Sequence, residues 1–260
     1  MLKEILVNNA MTYEYPPDGE ILPIIDPYDG CTIGCPYCFQ LGDETWNTNL
    51  NIKINISDIL HKELMNWNKE DTIYLGSKCD PYMEIERKYQ LTRKCLIELN
   101  KLNIKCMVTT KAGSKLVFRD IDILKLMGDT FTLLLGLSNL QQLSKVEDYT
   151  LLSNIQTANQ LHRMGINVWV FITPILPGIT NVDAMIDALD QDIPVFLDKV
   201  RLSRNTRPAL MLERFIEKNH PHLASTYKDI IYNQSDVYYE DVKEKWSNNE
   251  RVKFDLNRLK

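Results

Sequence analysis

The sequence has no apolar run approaching the roughly 18 residues of a membrane span, nor a basic start followed by a short apolar core and a small-residue cleavage site. A spanning or secreted protein is therefore not expected, and the chain reads as cytoplasmic and free of membrane. Internal repeats, low-complexity blocks and Gly/Ser-rich linkers are also missing, so a single domain is the simplest reading of 260 residues. Positive charge is in deficit: 30 Lys and Arg face 35 Asp and Glu, a net charge of −5. That balance argues against a broad, nonspecific phosphate-binding surface. Cysteine is scarce too, with six in the chain. In a reducing compartment these are expected to be ligands, catalytic groups or core residues, not a disulfide frame.

Against that background the chain alternates short β-branched or apolar runs with longer segments of helical spacing. Strands are expected over 20–26, 72–77, 104–111, 131–138, 167–176 and 194–203. Helices are expected over 56–68, 89–103, 116–127, 149–164, 182–189 and 207–218, the first capped by Ser57 or Asp58 and the fourth ended by Gly165. Six strand–helix units imply an α/β fold with a parallel sheet covered by helices. Residues 1–219 form the expected core, and 220–260 a C-terminal cap or extension of the same domain. In such folds functional groups collect at the C-terminal ends of the strands.

The first of those ends carries "CTIGCPYC", in which Cys31, Cys35 and Cys38 fall within eight residues. An odd number of crowded thiolates suits a soft metal: zinc, copper(I) or an iron–sulfur cluster. Zinc ordinarily takes four ligands, and a second CxxC hook is absent from the sequence. Three cysteines on a four-iron cubane leave one iron without a protein ligand, an open corner for a substrate.

The CxxxCxxC spacing, with aromatic Tyr37 before the third cysteine, resembles the radical S-adenosylmethionine (SAM) superfamily. The blocks "LGSKCDPYMEIERKYQLTRKCLIEL", "TTKAGSKLVFRDIDIL" and "ITPILPGITN" look like the spore photoproduct lyase and DNA repair photolyase branch. The resemblance implies a partial (β/α)6 TIM-like barrel with a short C-terminal extension. It implies a 4Fe-4S cluster on the three cysteines, S-adenosylmethionine as second cofactor, and an external electron donor of flavodoxin or ferredoxin type. It also implies roles: Lys111 toward the SAM carboxylate, and Gly76, Ser77 and Asp80 near its amino group. Ser138 would meet the ribose or methionyl end, with Pro174 and Leu176 packed on adenine.

Two positions depart from that branch. Ser77 stands where it has a hydrogen-donor cysteine, and Phe39 where it has a tyrosine after the third cluster cysteine. A serine O–H is too strong a bond to quench a carbon radical as a thiol does, so the substrate stays open between a DNA lesion, a peptide and a small metabolite. Cys79 is a candidate displaced hydrogen donor. Cys95 and Cys106 read as small core residues. A non-catalytic iron–sulfur protein would explain the triad alone. The run "KVRLSRNTR" gathers Lys199, Arg201, Arg204 and Arg207, either for an anionic substrate or as an ion-paired turn. The HxH of "NHPHL" is weak as a metal signal, and Glu84 and Glu86 are expected to flank the second-strand loop.

Overall fold

A computed structural model of the chain describes residues 1–14, 21–68, 71–112, 115–137 and 149–254. The N-terminal part contains β1 (Leu2–Ile5), β2 (Met11–Glu14), β3 (Leu22–Ile25), β4 (Tyr28–Asp29) and β5 (Leu50–Lys53). It continues with α1 (Ile56–Leu64), β6 (Ile73–Leu75), α2 (Glu86–Tyr89), α3 (Leu91–Lys101) and β7 (Cys106–Thr110). Next come α4 (Lys115–Arg119), α5 (Ile121–Met127), β8 (Phe131–Leu137), α6 (Tyr149–Arg163), β9 (Val168–Ile172), α7 (Val182–Asp187) and β10 (Val195–Leu197). The chain closes with α8 (Arg207–Asn219), α9 (Ala224–Tyr232), α10 (Val237–Trp246) and β11 (Val252–Phe254).

The main sheet has the order β11-β10-β9-β8-β7-β6-β3-β2. All its neighbours are parallel except the β2–β3 pair. The six expected strand–helix units are the run from β3 to β10, which gives the partial TIM-like barrel anticipated from the alternation. Two differences stand out. The segment after residue 220 adds β11 to the edge, covering the open side of β10, and a second sheet, β1-β5-β4, stands beside the barrel.

Strand residues alternate between faces with period two. Leu133, Leu135 and Leu137 of β8 join the main apolar core with Val108, Val170 and Ile172. The intervening Leu134 joins Met107, Phe171 and Phe196 in a separate cluster, against which Tyr74 and Trp169 pack. Each fully buried leucine or isoleucine side chain contributes about 1.5–3 kcal/mol of transfer free energy, so the core cluster dominates the fold's cohesion.

Helix boundaries differ from the periodic reading for identifiable reasons. α1 begins at Ile56 with Asn55 at its cap, so Ser57 and Asp58 lie inside the first turn and neither caps it. The Asn55 amide is engaged elsewhere, accepting from Val7 N at 2.9 Å and donating to Val7 O at 2.8 Å. The expected helix over 116–127 breaks at Asp120, whose carboxylate is fully buried and taken by Arg93 and Arg119. Gly165 ends α6 as expected, with φ +83° and its N–H on His162 O.

Candidate active site

The C-terminal ends of β3, β6, β7, β9 and β10 surround one cavity of about 310 Å³. Cys31, Cys35 and Cys38 form one wall, Gly76 to Asp80 and Thr109 to Lys111 a second, and Phe171, Thr173 and Pro174 a third. Asp198 to Leu202 border the remainder.

The cysteine loop is held by its backbone. A Cβ on Gly30 (φ +103°) would stand 2.1 Å from Asn49 O, so only glycine fits before Cys31. Cys31 N donates to Trp46 O at 3.0 Å, Thr32 N to Met83 Sδ at 3.1 Å, and Cys38 N to Cys35 O at 3.2 Å. From α8, Arg207 Nη1 reaches Leu41 O at 2.5 Å and Asp43 O at 3.3 Å. The basic run is thus largely spent internally: Arg201 forks onto Asp198, and Lys199 pairs with Asp236.

Lys111 lies where β7 ends. Its Nζ donates to Thr173 O at 2.9 Å and to Tyr37 Oη at 3.3 Å, over the Tyr37 ring at 4.6 Å and the Phe171 ring at 5.3 Å. Tyr37 in turn hydrogen-bonds the Cys35 thiol. Burial pushes Lys111 below the ordinary lysine value, while Cys35, Cys38, Asp80 and Cys31 pull it back up. Burial also raises all three thiols, Cys31 to about 12 with Asp80 adding to it, and the Lys111 ammonium draws Cys35 and Cys38 back down.

Metal binding at such thiols must release their protons. Three soft donors on one wall, beside a cation, fit an anionic thiolate-bound cluster. Among the described residues no three His, Cys, Asp or Glu side chains converge on a single ion. Thiolates that each take a different iron of a cubane need no such convergence.

No family model matches the chain. An uncharacterized protein of Methanocaldococcus jannaschii is 26% identical over 208 residues, covering 76% of each chain. One of Mycobacterium tuberculosis is 23% identical over 253 residues, covering 87% of this chain and 72% of its own. Among solved structures, spore photoproduct lyase complexed with dinucleoside spore photoproduct superposes with TM-score 0.59 at 14% identity, over 84% of this chain and 66% of the lyase. Streptococcus suis SuiB bound to S-adenosylmethionine gives 0.52 at 15%, over 89% of this chain and 49% of SuiB. The chain shares the fold of these two structures. It spans just under two thirds of the lyase chain and about half of SuiB.

Within that fold, Cys31, Cys35, Cys38, Tyr37, Gly76, Ser77, Cys79, Asp80, Lys111 and Pro174 all line the cavity. Leu176 does not. It is fully buried in a second apolar cluster with Leu212, Tyr227 and two cavity-lining residues, Tyr37 and Val200. Ser138 lies outside the described residues.

Asp80 faces inward to its own chain: Oδ1 accepts from Tyr82 N and Thr110 Oγ1, and Oδ2 from Lys111 N and Ala112 N, at 2.7–3.0 Å. It splices the end of β7 to the loop after β6. Its carboxyl is raised by burial and drawn back by those donors. Gly76 (φ +85°) has no room for a Cβ, which would lie 2.7 Å from Thr109 O. Glu86 is fully buried on Arg119, Glu84 pairs with Arg87 at the surface, and the His220 and His222 rings meet edge-on at 6.3 Å. Cys95 and Cys106 are core residues.

Asp26, unremarked in the sequence reading, closes β3 behind the cavity. Oδ1 accepts from Lys78 N at 3.1 Å and Cys79 N at 3.3 Å, with Cys79 Sγ at 3.6 Å, while buried Oδ2 has no partner among the described residues. Burial pushes this carboxyl above its ordinary value. The native state therefore keeps the proton to higher pH than the unfolded chain, and stability falls as pH rises from the ordinary aspartate value through the raised one. Asp26→Asn keeps the acceptor and removes the charge. Its melting temperature relative to wild type is expected to improve from pH about 4 to about 7, and an offset equal at both pH values would contradict this account.

Proposed function

We propose that the protein is a radical SAM enzyme that acts on a substrate seated over the strand ends. The observation that carries this is the meeting of three thiols and a lysine ammonium in one cavity of a radical SAM fold. Cys31, Cys35 and Cys38 would hold a 4Fe-4S cluster. When bound, it supplies an electron that splits S-adenosylmethionine into methionine and a 5′-deoxyadenosyl radical, which takes hydrogen from the substrate.

The chain's own residues then have defined tasks. Lys111 offers a charge-assisted hydrogen bond to the SAM carboxylate, and Tyr37 aligns that ammonium beside the Cys35 thiol. Gly76 and Ser77 border the amino group, Pro174 packs on adenine, and Ser138 is assigned to the ribose or methionyl end. Asp80 serves by holding the Lys111 backbone. Cys79 is the candidate hydrogen donor: it lines the cavity, and burial with the nearby Asp26 and Cys31 keeps its thiol protonated. A flavodoxin- or ferredoxin-type protein would deliver the electron in the cytoplasm.

A peptide or small metabolite is favoured over a DNA lesion, because Ser77 and Phe39 line the mouth without the thiol and phenol that lesion repair would use. A non-catalytic iron–sulfur role leaves the Lys111 arrangement without a task.

Anaerobic reconstitution followed by dithionite reduction tests the reading. Formation of 5′-deoxyadenosine and methionine is expected, and an intact reduced cluster that never cleaves SAM rules the enzyme out. Offering DNA with spore photoproduct beside candidate peptides separates the substrates. With the accepted substrate, Cys79→Ala is expected to abolish solvent-deuterium incorporation; unchanged incorporation removes Cys79 from the mechanism.

A further inference from the structure

Asn154 is fully buried on α6, and both of its amide hydrogens are spent on backbone carbonyls: Gly136 O at 2.9 Å and Lys111 O at 3.1 Å. Its Oδ1 has no partner among the described residues, so there the position uses the donors alone. The β7–β8 ladder runs from Cys106–Phe131 to Thr110–Leu135. Lys111 and Gly136 are the next pair in that register, where the strands have stopped bonding each other. Asn154 supplies a side-chain rung there, donating to a carbonyl of each strand.

Lys111 must also cross β8, because it starts on β7 and its ammonium ends at Thr173 O, just beyond β9. The lane it uses is Gly136. A Cβ there would stand 2.5 Å from Lys111 Cγ and 2.9 Å from Phe171 Cζ. Any side chain at 136 therefore displaces the lysine stem or the ring beneath its ammonium.

We infer that Gly136 and Asn154 are positioning residues for Lys111. Asn154 and Asp80 fix its backbone from two sides, and Gly136 opens the path along which its stem reaches the cysteine wall. The functional consequence rests on the proposed reading of Lys111 as the SAM carboxylate's partner.

Two measurements on the full-length, anaerobically reconstituted protein separate the inference from that reading. In competitive lysine labelling with acetic anhydride, read by mass spectrometry, Lys111 is expected to react slowly in wild type and severalfold faster in Gly136→Ala and in Asn154→Ser. The serine variant keeps one donor and guards against a Gly136→Ala protein that does not fold. Unchanged Lys111 reactivity in the folded variants overturns the inference.

Equilibrium SAM binding is expected to weaken roughly ten-fold in Lys111→Ala and comparably in Gly136→Ala, the loss of one charge-assisted hydrogen bond. In a Lys111→Ala background, Gly136→Ala and Asn154→Ser should add nothing further. A full extra loss there marks a general structural effect and also overturns the inference. Altered labelling together with undiminished SAM binding by Lys111→Ala overturns only the assignment of the carboxylate partner.

Discussion

Cys35→Ala is expected to leave the chain folded while bringing bound iron and sulfide, cluster absorbance and 5′-deoxyadenosine formation down together. Loss of SAM cleavage should be complete within detection. The loop does not depend on this thiol for its shape: Cys35 contributes its carbonyl to Cys38 N, Leu41 N reaches back to Cys38 O, and Arg207 clasps the following carbonyls. What the substitution removes is the thiol that Lys111 and Tyr37 jointly face. Cys106→Ala is the matched control. Cys106 is buried in the core, so its cost is a small cavity of about 1 kcal/mol, with the cluster retained. Iron content and cleavage equal to wild type in Cys35→Ala would remove the triad from the mechanism.

The triad was legible because its three cysteines lie within eight residues and need no tertiary contact to be noticed. The barrel strands were legible for a similar reason. Runs such as "FTLLLGL" are buried on both faces and announce a parallel sheet by composition alone. The supports of the site were not. Arg207 reaches the cysteine loop across 166 residues of sequence, Asn154 joins two strand ends from a helix, and Gly136 sits within an apolar run that shows no turn signal. None of these creates a local pattern, since each is defined by what another part of the chain brings against it. Short strands fared likewise: β5, the middle strand of the small sheet, falls outside the six expected strands, and β11 falls within the expected C-terminal cap or extension. Leu176 shows the converse case. Its place in "TPILPG" suggested the cavity, yet the chain turns at Pro174 and carries it into the second apolar cluster.

Arg119→Met is expected to be the most destabilising single substitution proposed for this fold, at about 3–5 kcal/mol. Arg119 lies between two fully buried carboxylates, with Nη2 2.8 Å from Glu86 Oε1 and Nε 2.7 Å from Asp120 Oδ1. Both carboxylates hold their arginine partner charged, raising it further above the ordinary value. Methionine fills much of the volume but takes both charge-assisted donors away, leaving Asp120 with the Arg93 guanidinium, and Glu86 with Tyr28 Oη and the Thr92 and Arg93 N–H groups. Two buried negative charges would then share too few donors. The damage should reach the cluster, because Tyr28 lies three residues before Cys31 and Met83, in the loop leading into α2, accepts from Thr32 N. The thermal midpoint should fall by on the order of 10 °C, with lower iron content after reconstitution. Arg163→Met provides the contrast. Arg163 forks onto Asp190 at 2.6 and 2.8 Å, yet its side chain is 69% exposed, and an exposed pair of that kind is worth about 1 kcal/mol or less. Equal losses in the two variants would mean that the buried network carries no more stability than a surface ion pair.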